Sequence, residues 1–529
     1  MLPVVFLLAR LATCQAPVDS AAPATPARPL WGDLPSGPHR VGFRTIFKFD
    51  ASRTWRRTRD YMGKFSPDPE GRPIQLNVWF PASSEPVGRQ MTVGTYIDQT
   101  VPGVAFAPLN SIMRQRIQEN LENSVPPAEL TALRATPMNA WVGTREATGR
   151  FPVVLYFGGL NADVNSNFVL AEFLASHGYV VASISLIGPT DQQTSQSRAP
   201  SDLDASVRDM EFALGILGAE TSADCTRLSV MGHSLGGVEA TMLAMRNGNV
   251  SAVVGLDGTY GFKGSARVLT GSYGYDPENM RSAFLDLRRA QGQQDADLDL
   301  ASVQSFHHAD LTLVTMTGMH HSDFTSFAMV AQRFGVPISP NYANTGWNRD
   351  TARQGYQQAA RIILEFLNER IVNDRRVTAS LQEMIRGIEG STFAHVNAGP
   401  AAPSPQEAIA LANDRGFEAL KAFIVSACGK RPASGCLDAN MFNTKGYELL
   451  GQHRGNDALV LFEITAWSYP LSANAQDSLA DGYAAIGDRE SARKALKQAI
   501  ELVPGDPAID ATSKASFLTE ENRRLAQMR

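Results

Sequence analysis

Between Phe151 and Gly318, short apolar runs alternate with amphipathic segments, and this pattern restricts the possible folds more than any other feature of the chain. The runs are "FPVVLYF" (Phe151–Phe157), "YVVASISL" (Tyr179–Leu186), "RLSVMG", "SAVVGLDG", "RSAFLDL" and "LTLVTMTG". Each is apolar along most of its length, as a strand covered on both faces must be. The segments between them have helical character. In "DLDASVRDMEFALGIL", Leu203, Val207, Met210, Leu214 and Leu217 recur at alternating steps of four and three, which places them on one helix face. "NFVLAEFLASHG" and "GGVEATMLAMRNG" are further helices, and "YQQAARIILEFLNERI" closes the unit. Strands and helices in alternation predict a mostly parallel sheet with helices on both faces.

Before this unit, "VGFRTIFKFDAS" and "RPIQLNVWFPA" read as strands. Residues 105–136 read as a helical insertion, with Phe106, Met113 and Ile117 as candidate walls of a pocket. After it, "NAGPAAPSPQ" is Pro/Ala-rich, as linkers are. The remaining sequence is helical and repeats with a period of 34: Ala458 matches Ala492, Phe462 matches Leu496, and Pro470 matches Pro504. This spacing of small residues and prolines resembles tetratricopeptide repeats. The expected organisation is a mobile N-terminus over residues 1–40, an α/β domain over 41–375, a linker over 376–404 and a helical domain over 405–529. A chain of 529 residues is too long for one ordinary core, which agrees with this division.

A net charge of −5 carries no polyanion-binding signature, so nucleic acid is not an expected partner. No apolar run is long enough to predict a spanning helix. The opening "MLPVVFLLARLATCQAP" reads as an export signal, giving a secreted or periplasmic expectation. "LATC" around Cys14 loosely matches a lipoprotein cleavage box. Cys428 and Cys436 bracket a loop short enough for a disulfide, with two free thiols as the alternative; Cys225 is the remaining cysteine. There is no C-x-x-C, so a zinc knuckle is not predicted.

"VMGHSLGG" carries the chemistry. Gly232-His233-Ser234-Leu235-Gly236 fits G-x-S-x-G between a strand and a helix, the context in which a serine is projected from a tight turn above the sheet. Gly232 and Gly236 are the small residues that such a turn requires. The helix behind Ser234 aims free N–H groups at a developing oxyanion. Leu235 would supply one donor, and Leu160 in "GGLNADVN" would supply the second. A nucleophilic serine needs a base and an orienting acid. The base is expected after the late strand "LTLVTMTG", where "MHHSDF" offers His320 and His321. His307 and His308 precede that strand, at its wrong end, and read as surface or helix-end residues. Two carboxylates qualify as the acid: Asp257 and Asp286, each at the end of a predicted strand. The paired histidines with following aspartates also invite a metal reading, but no third ligand cluster accompanies them.

Together, "FPVVLYFGGLNA", "LASHGYVVASI", "GHSLGG", "GLDGTYG" and "TGMHHSDF" resemble the platelet-activating factor acetylhydrolase branch of the α/β-hydrolases, over residues 40–370. Bacterial lipases and dienelactone hydrolase-like proteins are related to that branch. The resemblance implies an α/β-hydrolase fold, which the tetratricopeptide-like repeats follow as a separate helical domain. It assigns the acid to Asp257 and, through G-x-x-H, the base to His321. Asp323 is then a loop anchor, and His320 points away or lines the rim. Gly158 departs from the family, which usually has histidine there. The resemblance also implies no metal and no cofactor. The C-terminal repeats resemble those appended to some secreted bacterial serine hydrolases. The function expected is hydrolysis of short-acyl esters, including phospholipids, through an acyl-enzyme. Alternatives are a lipase or polyester hydrolase on the same triad, or a weakly catalytic scaffold whose repeats bind a protein.

Overall fold

The computed structural model describes residues 29–527, apart from 58, 60, 67, 69, 85–86, 100, 291–297, 338–346, 373–377, 400–401 and 429–431. The segment expected to be an export signal, and Cys14, lie outside the described residues. Eleven strands form one sheet: β1 (Arg40–Asp50), β2 (Arg72–Ala82), β3 (Arg89–Thr92), β4 (Pro137–Val142), β5 (Phe151–Phe157), β6 (Val180–Ile184), β7 (Ala223–His233), β8 (Val250–Leu256), β9 (Ala283–Arg289), β10 (Leu311–Met316) and β11 (Thr392–Val396). Their order across the sheet is β11-β10-β9-β8-β7-β5-β6-β2-β1-β4-β3. From β6 to β10 every neighbouring pair is parallel. β2 runs antiparallel to both β6 and β1.

The period-two side-chain alternation of a strand divides β5 between two cores. Val154 and Tyr156 join one, against the helices Phe168–Ser176 and Arg349–Leu367. Val153, Leu155 and Phe157 join the other, against Pro200–Glu220 and Leu235–Arg246. The central strands are buried on both sides, which is why their sequences are nearly continuous apolar runs.

The helical insertion is an excursion between the antiparallel partners β3 and β4. Its main helix, Ala107–Asn120, buries Leu109, Met113, Arg116 and Ile117 on one face. Phe106 and Met113 do not face a ligand cavity. They pack with Trp55, Leu109, Val164 and Ile187 in a separate small core, and Phe106 stacks on Phe49 with ring centroids 4.3 Å apart.

The 376–404 stretch expected as a linker is partly structured. It holds the helix Thr378–Arg386, with Leu381 and Ile385 buried, and then β11, which extends the sheet antiparallel to β10. "TFAHV" is a short, mostly exposed edge strand, and its partner lies about 80 residues earlier, so no local pattern announces it. The segment linking to the C-terminal helices begins only after Val396.

Those helices recur at a fixed interval. Ala439–Gly451 and Gly455–Ser468 are followed 34 positions later by helices starting at Ala473 and Arg489 (473 − 439 and 489 − 455). Ala458, Ala480, Ala492, Phe462 and Leu496 are buried where the helices cross. Gly446 has no room for a side chain, because a Cβ there would run into the ring of Phe462. Cys428 and Cys436 form a disulfide, with Cα atoms 5.6 Å apart. Cys225 is a free, half-buried thiol.

Candidate active site

Four chain segments converge at the carboxyl ends of parallel strands: Gly158–Asn161 after β5, Ser234 after β7, Asp257 after β8, and His321 after β10, which β9 separates from β8. Backbone groups are left unpaired where strands end, so such an edge suits a site. Four non-glycine residues have positive φ among the described residues. Three of them are here: Asn161 (54°), Ser234 (56°) and Asp257 (47°). Conformations of this kind cost of order 1–3 kcal/mol each, and they persist only where surrounding contacts fix them.

The elbow at Ser234 is sterically determined. A Cβ on Gly232 would strike the carbonyl of Gly236, and one on Gly236 would strike the carbonyls of Phe157 and Gly158. The turn is pinned by Ser234 N–H donating to Leu256 O at 3.0 Å, and by Thr259 N–H donating to Ser234 O at 2.9 Å. Leu235 is the first residue of the helix Leu235–Arg246, so its N–H has no intrahelical acceptor. Leu160, 41% exposed, lines the same cavity as Ser234, beside Gly159.

His321 begins a single helical turn, His321–Phe324. Its Nδ1 lies 2.6 Å from Asp257 Oδ2. A buried carboxylate accepts, so Nδ1 carries the proton and Nε2 presents its lone pair. Burial pushes the Asp257 pKa up, but the His321 hydrogen bond and the charges of His321, Arg289 and Arg288 outweigh it. The carboxyl is therefore held below its ordinary value. The Arg289 backbone N–H also donates to Asp257 Oδ1 at 3.4 Å.

The sequence left Asp286 open as the acid, at a strand end. In the structure it lies inside β9, opposite Gly255 and three residues short of the strand's end at Arg289. Its oxygens accept from Tyr260 Oη at 2.9 Å and from the guanidinium of Arg288. The two histidines at 320–321 separate in the same way. His320 packs on Trp347, with centroids 5.3 Å apart. Its N–H donates to Asp323 Oδ2 at 2.7 Å, as does the Trp347 indole. Asp323 is thus a buried anchor of this loop, and burial pushes its pKa up to about 6. His307 is exposed as expected, but His308 is buried, with Nε2 2.8 Å from Glu278.

Several residues that shape the site were not picked out by motif. His233, buried beside Ser234, donates through Nε2 to the carbonyl of His321 at 2.8 Å. Burial and the neighbouring His321 push its pKa down to about 3, so it stays neutral and holds the loop of the other histidine. Arg116 reaches in from the insertion. Its sequence signal is an arginine on the apolar face of a helix, between Met113 and Ile117.

A cavity of about 450 Å³ opens onto Ser234 and His321, within the size range of small-molecule pockets. Val93, Ile97, Ile117, Leu121, Phe168 and Val330 give it apolar walls, and Tyr96 and Asn165 add polar atoms. Of the three insertion residues expected to face it, Ile117 alone lines it. Among the described residues, no group of three metal-ligating side chains comes together, and no helix is long and apolar enough to cross a membrane.

The strand order and the elbow after β7 define a fold class. The chlorophyllase family model matches residues 116–283, which include Ser234 and Asp257. No curated protein matches the chain. Among solved structures, a ferulic acid esterase from Streptomyces cinnamoneus is 19% identical, with a TM-score of 0.45, over 70% of this chain and 98% of that one. The mostly parallel sheet with a serine elbow after β7 is the arrangement of an α/β-hydrolase fold, and the chlorophyllase model matches the stretch that holds the elbow.

Proposed function

We propose that this protein is a serine-dependent carboxylic ester hydrolase, with Ser234 as nucleophile, His321 as base and Asp257 as acid. The observation that carries the reading is the 2.6 Å contact between His321 Nδ1 and buried Asp257, in the same cavity wall as the strained Ser234. With Nδ1 committed to Asp257, Nε2 is the atom able to take the serine proton. Ser234 Oγ then attacks the ester carbonyl, and the N–H groups of Leu160 and Leu235 receive the oxyanion. His321 returns the proton to the leaving alcohol as the carbon–oxygen bond breaks, leaving an acyl-enzyme. Water activated by the same imidazole attacks that ester and releases the acid. Arg289 and His233 hold the acid and the base loop in register.

The finer reading is a preference for short-acyl esters, resembling platelet-activating factor acetylhydrolase, with phospholipids among the substrates. The apolar walls supplied by Ile97, Ile117 and Leu121 support an acyl or alkyl group in the cavity. The 34-residue helical period supports a tetratricopeptide-like domain that offers a surface to a protein partner. The Cys428–Cys436 disulfide supports export to an oxidising compartment.

A serine-reactive phosphonate followed by peptide mapping tests the nucleophile, with Ser234 as the expected site. Turnover of p-nitrophenyl acetate well above p-nitrophenyl palmitate is expected, and it should be lost in Ser234→Ala. Palmitate preferred over acetate would favour a lipase. Unchanged turnover in Ser234→Ala would remove the mechanism.

A further inference from the structure

We infer that Arg116 and Asn161 form a positioning pair that sets the oxyanion donor Leu160, coupling the helical insertion to the catalytic edge of the sheet. The inference rests on the roles proposed above for Ser234 and Leu160.

Leu160 lies on a loop whose next residue, Asn161, has φ of 54°. Asparagine enters the left-handed region more readily than other non-glycine residues, and surrounding contacts fix it there. Here the Asn161 carboxamide pairs with the backbone of Gln196 as a strand would. Its Oδ1 accepts Gln196 N–H at 2.9 Å, and its Nδ2 donates to Gln196 O at 3.3 Å. Oδ1 also accepts Arg116 Nη2 at 3.0 Å.

Arg116 is only 4% exposed, yet it sits on a helix far from the loop in sequence. Its guanidinium donates to the Ala162 carbonyl at 3.3 Å, to the Leu186 carbonyl, and to the Thr194 carbonyl at 3.4 Å. It therefore holds the loops following β5 and β6 together, with Leu160 directly ahead of Asn161 and Ala162. A planar fork of five donors suits such a set of acceptors; an ammonium does not. Burial pushes the Arg116 pKa down to about 10, which leaves it charged at neutral pH. The chain of contacts ends on the nucleophile helix itself. Gln196 Nε2 donates to Glu239 and, at 2.8 Å, to Ser206. One polar network thus fixes the two oxyanion donors relative to each other: Leu160 through Asn161, and Leu235 through the helix that carries Glu239.

The expected kinetic signature is a kcat defect. A displaced donor weakens binding of the transition state more than binding of the ester. In the full-length chain with p-nitrophenyl acetate, Arg116→Ala should lower kcat roughly 100-fold, the scale of losing one oxyanion donor, with KM changed less than about threefold. Millimolar guanidinium should restore part of that loss, and Arg116→Lys should restore less. Asn161→Gly keeps the positive φ but removes the carboxamide, and should lower kcat about tenfold. The double variant should be no worse than Arg116→Ala alone, because the two residues act as one unit. If Arg116→Ala does not fold, Asn161→Gly decides by the same kcat-against-KM comparison. A raised KM at unchanged kcat, or defects that multiply in the double variant, would overturn the positioning pair while leaving the esterase reading intact. Turnover that survives Ser234→Ala would overturn both.

Discussion

Asp257 follows β8 and Asp286 lies within the neighbouring β9; both are buried, and they should fail in different ways when each is changed to asparagine. Asp257 accepts from the His321 ring and from the Arg289 backbone. An asparagine that keeps its oxygen on Arg289 N–H turns its NH₂ toward His321 Nδ1. The imidazole must then move its proton to Nε2, the atom proposed to accept from Ser234. Such a tautomer error in a serine triad lowers kcat about 10⁴-fold, or about 5.5 kcal/mol of transition-state stabilisation. The fold should change little, since shape and most hydrogen bonds survive. Asp286→Asn has the opposite profile. It removes the charge facing Arg288, whose side chain is 2% exposed and has little access to water. Breaking one side of a buried pair costs about 3–5 kcal/mol. The folded fraction should keep kcat within a few-fold, because no Asp286 atom contacts His321. The measurements are kcat with p-nitrophenyl acetate and thermal unfolding by circular dichroism, on both variants. An Asp286→Asn protein that melts normally but loses 10³-fold or more in kcat would refute the assignment, all the more so if Asp257→Asn stayed active.

Three further outcomes are expected. His321→Ala should abolish turnover, whereas His320→Ala should lower it only several-fold, because His320 contributes packing on Trp347 while its backbone holds Asp323; steady-state kinetics on both decides, and the reverse ranking would move the base by one residue. Gly236→Ala should give little folded, active enzyme, since its Cβ meets two backbone carbonyls that cannot move aside; normal soluble expression with full activity would contradict the elbow geometry. Glu172, buried beneath Tyr96 and Trp31, has its pKa pushed up by burial to about 7, against hydrogen bonds from Tyr96, Trp31 and Asn139 that lower it. The folded chain therefore binds more protons than the unfolded chain between pH 4.5 and 7, and stability falls as pH rises through that window, by about 3 kcal/mol in all. Glu172→Gln lacks this titration, so its melting temperature should gain on the native protein as pH goes from 5 to 7; a constant difference would remove Glu172 as the source.

What the sequence determined by itself was local. The elbow is legible because its constraint falls within five consecutive residues: without side chains at Gly232 and Gly236, the turn that raises Ser234 can close. The strands and helices are legible because burial on two faces or on one stripe imposes a period on neighbouring residues. The 34-residue recurrence is legible because each helix pair reproduces the same crossing, with small residues at the same places. Family likeness then ranked Asp257 above Asp286 and His321 above His320, which neither spacing nor periodicity could do.

Tertiary structure decided what depends on strand order and on distant contacts. Asp257 and His321 are 64 residues apart, and they meet because β8, β9 and β10 lie side by side and in parallel. Asp286 is kept from that meeting by where β9 ends: the strand continues to Arg289, which leaves the carboxylate in mid-strand against Arg288. β11 exists because the edge of β10 offered unpaired backbone groups, a requirement invisible in "TFAHV". Phe106 and Met113 left the expected pocket for a core with Trp55, since a helix face does not say which of its neighbours it meets. Arg116 is the sharpest case. One arginine on an apolar stripe is a local anomaly, and only folding supplies the four oxygens from distant loops that make its burial tolerable.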